Sequence, residues 1–107
     1  MRRLDSNGYA RSLLDTEQGV CYLCHKYGDT ARHEIFNGTG PRKLSKRFGL
    51  WVNICPECHA EVHHDKECEK AKTLQEDARR AFLEDGHTEY QFTEWFIKGN
   101  IKHWEME

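Results

Sequence analysis

Apolar residues follow a helical rhythm over the second half of the chain and gather in short runs over the first. Between Lys66 and Glu84, Ala71, Leu74, Ala78 and Phe82 recur every three or four residues with charges between them. This predicts an amphipathic helix ended by Gly86. Thr88 and Gln91 then have capping-box spacing for another helix, whose apolar surface would be Tyr90, Phe92, Trp95 and Phe96. Aromatic residues at that spacing predict core packing rather than a platform for stacking bases. His103 and Trp104 in the tail receive no role. Cys68 reads as a buried thiol on the long helix.

The first half reads differently. Residues 1–19 are polar and broken by Gly8 and Gly19, with Leu13-Leu14 able to dock on a core, and predict a partly ordered arm without chemistry. Arg32 to Phe36 suits a short strand, ended by the turn Gly38-Thr39-Gly40. Pro41 would open a two-turn helix closed by Gly49, with Leu44 and Phe48 facing inward. Leu50 to Ile54 predicts a second strand, and Pro56 the first turn of a further helix. The fold class is therefore α+β, a small core over 20–64 with an arm before it and C-terminal helices over 65–107 capping the same domain.

With 107 residues, 37% hydrophobic and 32% charged, the core must be thin, and a chain this polar calls for a staple. No apolar run is long enough for a membrane span, and Arg2-Arg3 is not followed by a signal-peptide core. The expected setting is cytoplasmic, where paired cysteines mean metal more often than disulfide. Net charge is −2, but residues 1–60 carry nine Lys/Arg against six Asp/Glu, while residues 61–107 carry seven against twelve. The basic half contains a dense cluster, Arg42, Lys43, Lys46 and Arg47, suited to phosphate contacts. An ordinary mixed surface is the plain alternative.

The five cysteines sharpen this picture. Cys21-x-x-Cys24, closely followed by Gly28, reads as a zinc knuckle, and Cys55-x-x-Cys58 supplies a second pair. A thioredoxin-type motif shares the spacing but belongs in a βαβ unit, which is missing here. Two pairs in one short chain predict a four-cysteine structural zinc site. Their separation of about 30 residues exceeds that of a simple zinc ribbon, so an inserted element lies between them. Four cysteines leave His33, His59 and His63. His59 and His63 are one helical turn apart, and His33 lies on the strand between the knuckles. Three neutral donors with open positions suit a catalytic divalent ion rather than a closed structural one.

In this order the chain resembles the HNH endonucleases of the ββα-metal class, with a treble-clef fold, and especially the small zinc-knuckle forms common in phages and prophages. The resemblance rests on Cys21-x-x-Cys24, His33-Glu34-Ile35-Phe36, the Gly-rich turn, Arg42-Lys43-Leu44-Ser45, Gly49-Leu50-Trp51-Val52 and Cys55-x-x-Cys58-His59-x-x-x-His63. It covers roughly residues 20–64 and is looser in the C-terminal helices. It implies metal-dependent hydrolysis of DNA in a bacterial or phage-infected cell, with Mg, Mn or another divalent ion at His59 and His63.

In the family, one residue of the first-strand motif binds the metal and its neighbour is the general base. His33-Glu34 allows two carry-overs: His33 as ligand with Glu34 in the base position, or His33 as base with Glu34 as a ligand or supporting group. An imidazole matches neutral pH better than an ordinary carboxylate, which favours His33 as base. The family's middle Asn falls at Leu50, and Asn53 is the nearby residue available to orient the base. His64 could substitute as a ligand, but one step further round the helix it is expected to face away from the metal. Two other classes remain open on the sequence: a non-catalytic treble-clef zinc module that binds DNA or a protein, and a thiol redox protein using Cys21 and Cys24.

Overall fold

The computed structural model of the chain describes residues 3–37 and 39–99, with Thr39 and Gly40 described by their backbone. Two short strands form an antiparallel sheet, β1 (Ala31–Glu34) and β2 (Trp51–Ile54). Helix α1 (Thr39–Phe48) lies between them in sequence. Then come α2 (Pro56–His64), α3 (Glu69–Glu84) and α4 (Glu89–Phe92), the last running into a π-helical turn, Thr93–Ile97. The class is α+β, as the hydrophobic pattern predicts.

Local chemistry sets the boundaries. β1 ends two residues earlier than the apolar pattern suggests because buried Ser45 takes over the backbone of Phe36. Its hydroxyl accepts from the Phe36 N–H at 3.1 Å and donates to the Phe36 carbonyl at 2.8 Å. α1 starts at Thr39 and carries Pro41 inside its first turn, where an N–H has no helical partner to lose. Gly49 ends it with φ 72°, and a side chain there would place Cβ 2.2 Å from the carbonyl oxygen of Arg11. Glycine is required both by its conformation and by that close approach.

Pro56 does open α2, and Cys55 caps it by accepting from the Cys58 N–H. α3 begins at Glu69 rather than Lys66, because Asp65 is extended and ends α2. Cys68 is half-buried and caps α3 by accepting from the Ala71 N–H, so it is not the buried helical thiol expected. The capping box of Thr88 and Gln91 is formed.

Leu44, Leu50, Val52, Ile54, Leu74 and Phe82 fill the centre with Trp95. Phe48 stacks on Trp95 at 5.4 Å between ring centroids, and Phe36 meets Phe92 and Phe96. These aromatics are core, apart from Tyr90, which is exposed. The segment before Val20 is tied to the sheet. Trp51 Nε1 donates to the Ala10 carbonyl at 2.7 Å, and Ser12 Oγ donates to the Trp51 carbonyl at 2.6 Å. Among the described residues, no helix is long and apolar enough to cross a membrane. His103 and Trp104 lie outside the described residues.

Candidate metal centres and the cavity between β1 and α2

Two clusters of potential ligands meet at α2. In the first, the sulfurs of Cys21, Cys24, Cys55 and Cys58 lie within 4.8 Å of one another. Cys24 and Cys55 are 3.8 Å apart, which matches the edge of about 3.8 Å expected for a tetrahedron with Zn–S bonds of about 2.3 Å. Backbone N–H groups of Cys24 and Cys58 point back at Cys21 and Cys55 sulfurs, at 3.4 and 3.5 Å. His25 makes the tight first turn possible with φ 65°, while its N–H bonds the Cys21 carbonyl at 2.9 Å. The donor set fits a structural zinc ion.

Without a cation these thiols oppose one another. Burial and the neighbouring cysteines push Cys58 up to about 12. Burial also raises Cys21, yet N–H groups of Cys24, Cys55 and Leu23 outweigh it and bring that thiol down to about 6. Lys70 adds a positive charge 3.5 Å from the Cys58 sulfur, held there by Glu61 at 2.9 Å. No motif points to Lys70, because its place depends on how α3 packs on α2.

The second cluster gathers His33 from β1 with His59 and His63 from α2, one ring nitrogen of each within 4.8 Å of the others. His59 Nε2 and His63 Nε2 are 2.9 Å apart, close to the spacing of about 3.0 Å for adjacent ligands of an octahedral ion with bonds near 2.1 Å. The His33 ring meets those of His59 and His63 edge-on at 5.2 and 5.4 Å. Burial and then the charges of His59 and His63 hold His33 down at about 4, so it is a neutral donor near pH 7. Burial and then His63 lower His59 as well. These three imidazoles can hold a divalent cation.

They open on a cavity of about 600 Å3, also lined by Arg32, Glu34, Asn37 and Arg42. The two halves of the His33-Glu34 pair part company here. Glu34 is buried and accepts from Arg42 Nε at 2.6 Å and from the Tyr9 hydroxyl at 2.9 Å. Burial alone would raise its pKa, but those two donors hold the carboxyl below its ordinary range.

Asn53 does not join this group. It pairs with Arg32 across the sheet, its N–H donates to Thr16 Oγ1 at 2.9 Å and its carbonyl accepts from Tyr22 at 2.9 Å. The amide that lines the cavity is Asn37, whose oxygen accepts from Lys66 at 3.1 Å. Of the basic cluster, Arg42 reaches the cavity. Lys43 and Arg47 are exposed, and Lys46 lies with its ammonium 4.8 Å over the Tyr9 ring. His64 is exposed and outside the histidine cluster. Tyr9 and Asn37 were not visible as site residues in the sequence, since neither belongs to a spaced motif. No protein family, curated protein or solved structure matches this chain.

Proposed function

We propose that this protein is a metal-dependent endonuclease of the HNH type, a treble-clef domain stapled by zinc that hydrolyses DNA phosphodiester bonds. One observation carries the reading: three imidazoles from β1 and α2 converge on an arginine-lined cavity, apart from the thiol cluster. A closed structural site would not need that second, open set of ligands.

Bound at His33, His59 and His63, a divalent ion that accepts imidazole ligands, such as Ni or Mn, would stabilise the charge that develops on the phosphate and on the leaving oxygen. His33 thereby serves as a ligand, the first of the two carry-overs open in the sequence. Its preferred role there, as base, passes to Glu34. Glu34 accepts a hydrogen bond from the attacking water and takes its proton. While bound by Arg42 and Tyr9 its carboxylate is a weak base. A substrate phosphate competes for Arg42, and the carboxylate it releases is the more basic one. Lys43, Lys46 and Arg47 contribute contacts to neighbouring phosphates.

The same lock on Glu34 favours a second reading, a non-catalytic zinc module that binds DNA or a protein. Elemental analysis together with plasmid nicking in Mg, Mn and Ni separates the two. One retained zinc, one exchangeable ion and nicking lost in Glu34→Gln are expected of the nuclease. Salt-sensitive DNA binding without cleavage would select the module. Absence of zinc from the purified protein would overturn both.

A further inference from the structure

A second cavity, of about 490 Å3, lies on the other side of Arg32 and is unused by the reading above. Leu4, Tyr9 and Trp51 line it, with Arg3, Arg11 and Arg32. The Arg32 guanidinium rests on two rings at once, 4.5 Å from the Tyr9 centroid and 4.6 Å from that of Trp51. Asp5 fixes its rotation with a bond of 2.9 Å to Nη1, and the side chain stays 38% exposed. The rings themselves are locked edge to face at 5.7 Å. The result is a flat, preorganised, cationic surface set in an apolar hollow.

That combination has a specific complement. Trp51 is buried and the Tyr9 ring already carries Arg32 and Lys46, so the Arg32 guanidinium is the face left for a ligand; such planes stack nucleobases, and three arginines against one aspartate favour a polyanion. The hollow also adjoins the histidine cavity. Arg32 lines both, and the Tyr9 ring forms a wall here while its hydroxyl reaches Glu34 there. A nucleotide next to a phosphate held at the histidines would have this hollow within reach. A base inside a duplex is stacked on both faces and cannot enter without being extruded.

We propose that this cavity receives one unstacked nucleobase beside the phosphodiester held at the histidines, so that DNA with an unpaired base is bound in preference to uniform duplex. This rests on the nuclease reading for the neighbouring phosphate, and the test keeps the two apart.

The zinc-loaded protein is titrated by fluorescence anisotropy with a duplex carrying a single bulged adenine, and with the same duplex carrying an abasic residue in its place. Cleavage of both, and of fully paired DNA, is followed in Mn. The base-bearing duplex is expected to bind about tenfold more tightly. Leu4→Glu, and separately Arg3→Glu should the first variant fail to fold, are expected to abolish that difference while leaving cleavage of fully paired DNA as it was. Equal affinity of the wild type for the two duplexes, or no DNA binding at all, overturns the proposal. A preference for the base with no cleavage of any DNA supports the pocket and sinks the nuclease reading. Cleavage with no such preference does the reverse.

Discussion

Tyr9 donates its hydroxyl to Glu34 at 2.9 Å, joining a segment without regular structure to the last residue of β1. The same carboxylate is held by Arg42 at 2.6 Å. Tyr9→Phe removes one donor and leaves the other. Burial then counts for more, so the pKa of Glu34 rises from its depressed position. A lowered carboxyl pKa contributes stability above its unfolded value of 4.5, and that stability is lost as pH falls through the folded value. Tyr9→Phe is expected to cost about 1.5 kcal/mol at pH 7 in urea unfolding, with a smaller loss on acidification than in the wild type. An unchanged midpoint would show that the bond adds nothing.

His33→Ala and His64→Ala make a matched pair. His33 is buried in the histidine cluster, whereas His64 is exposed on the same helix as the other two ligands and outside it. Isothermal titration with Mn or Ni is expected to show affinity reduced at least tenfold by His33→Ala and unchanged by His64→Ala. Both variants should keep their zinc. Equal effects would remove His33 from the ligand set.

Chelation should act on the fold as well as on the metal. Cys21, Cys55 and Cys58 belong to the hydrophobic core, and the two knuckles join residues far apart in sequence. Zinc held by four thiolates contributes on the order of 10 kcal/mol, comparable with the whole stability of a small domain. Cys55→Ser, or removal of zinc with a strong chelator, is expected to abolish cooperative thermal unfolding in circular dichroism. A sharp transition that survived would mean the core stands without its staple.

The imidazoles supply a pH test. With zinc in place and no ion at the histidines, His33 should titrate at about 4 in histidine-detected NMR, because burial and the neighbouring imidazoles oppose its charge. Its folded pKa lies below the ordinary 6.5, so the folded state binds fewer protons between these values. Stability from this group is complete above 6.5 and declines as pH falls towards 4. A His33 midpoint near 6.5 would show that the ring is solvated rather than buried against its partners.

How much of this was legible depended on whether a feature was local. The cysteine pairs and the His59–His63 turn are set by spacing along a few residues, and the structure brings them together as that spacing suggests. Pro56, the box of Thr88 and Gln91, and the row Ala71, Leu74, Ala78 and Phe82 are local in the same sense. Asn53 lies near a motif in sequence, but the register of the sheet decides where it goes, and pairs it with Arg32. Tyr9 could not be read at all. Its place follows from Gly49, which admits the Arg11 carbonyl to a distance no side chain would allow, and from the Trp51 indole that grips Ala10. The four basic residues stand close together in sequence, yet Arg42 is the member at the cavity, because it is the one whose position on α1 reaches Glu34.

The seam between the first residues and β2 has a kinetic meaning. Ala10 meets Trp51 across 41 positions and Ser12 meets the same residue across 39, whereas the turns within each knuckle close over three. Long closures cost more chain entropy and come late unless something shortens the search. A zinc ion that clamps Cys21 and Cys24 to Cys55 and Cys58 does so, by bringing residue 21 beside the end of β2 before the first residues need to find it. Once the clamp is closed, Ala10 and Ser12 search for Trp51 over a much shorter effective loop, so a chain holding its metal is expected to fasten its first residues faster than one without it.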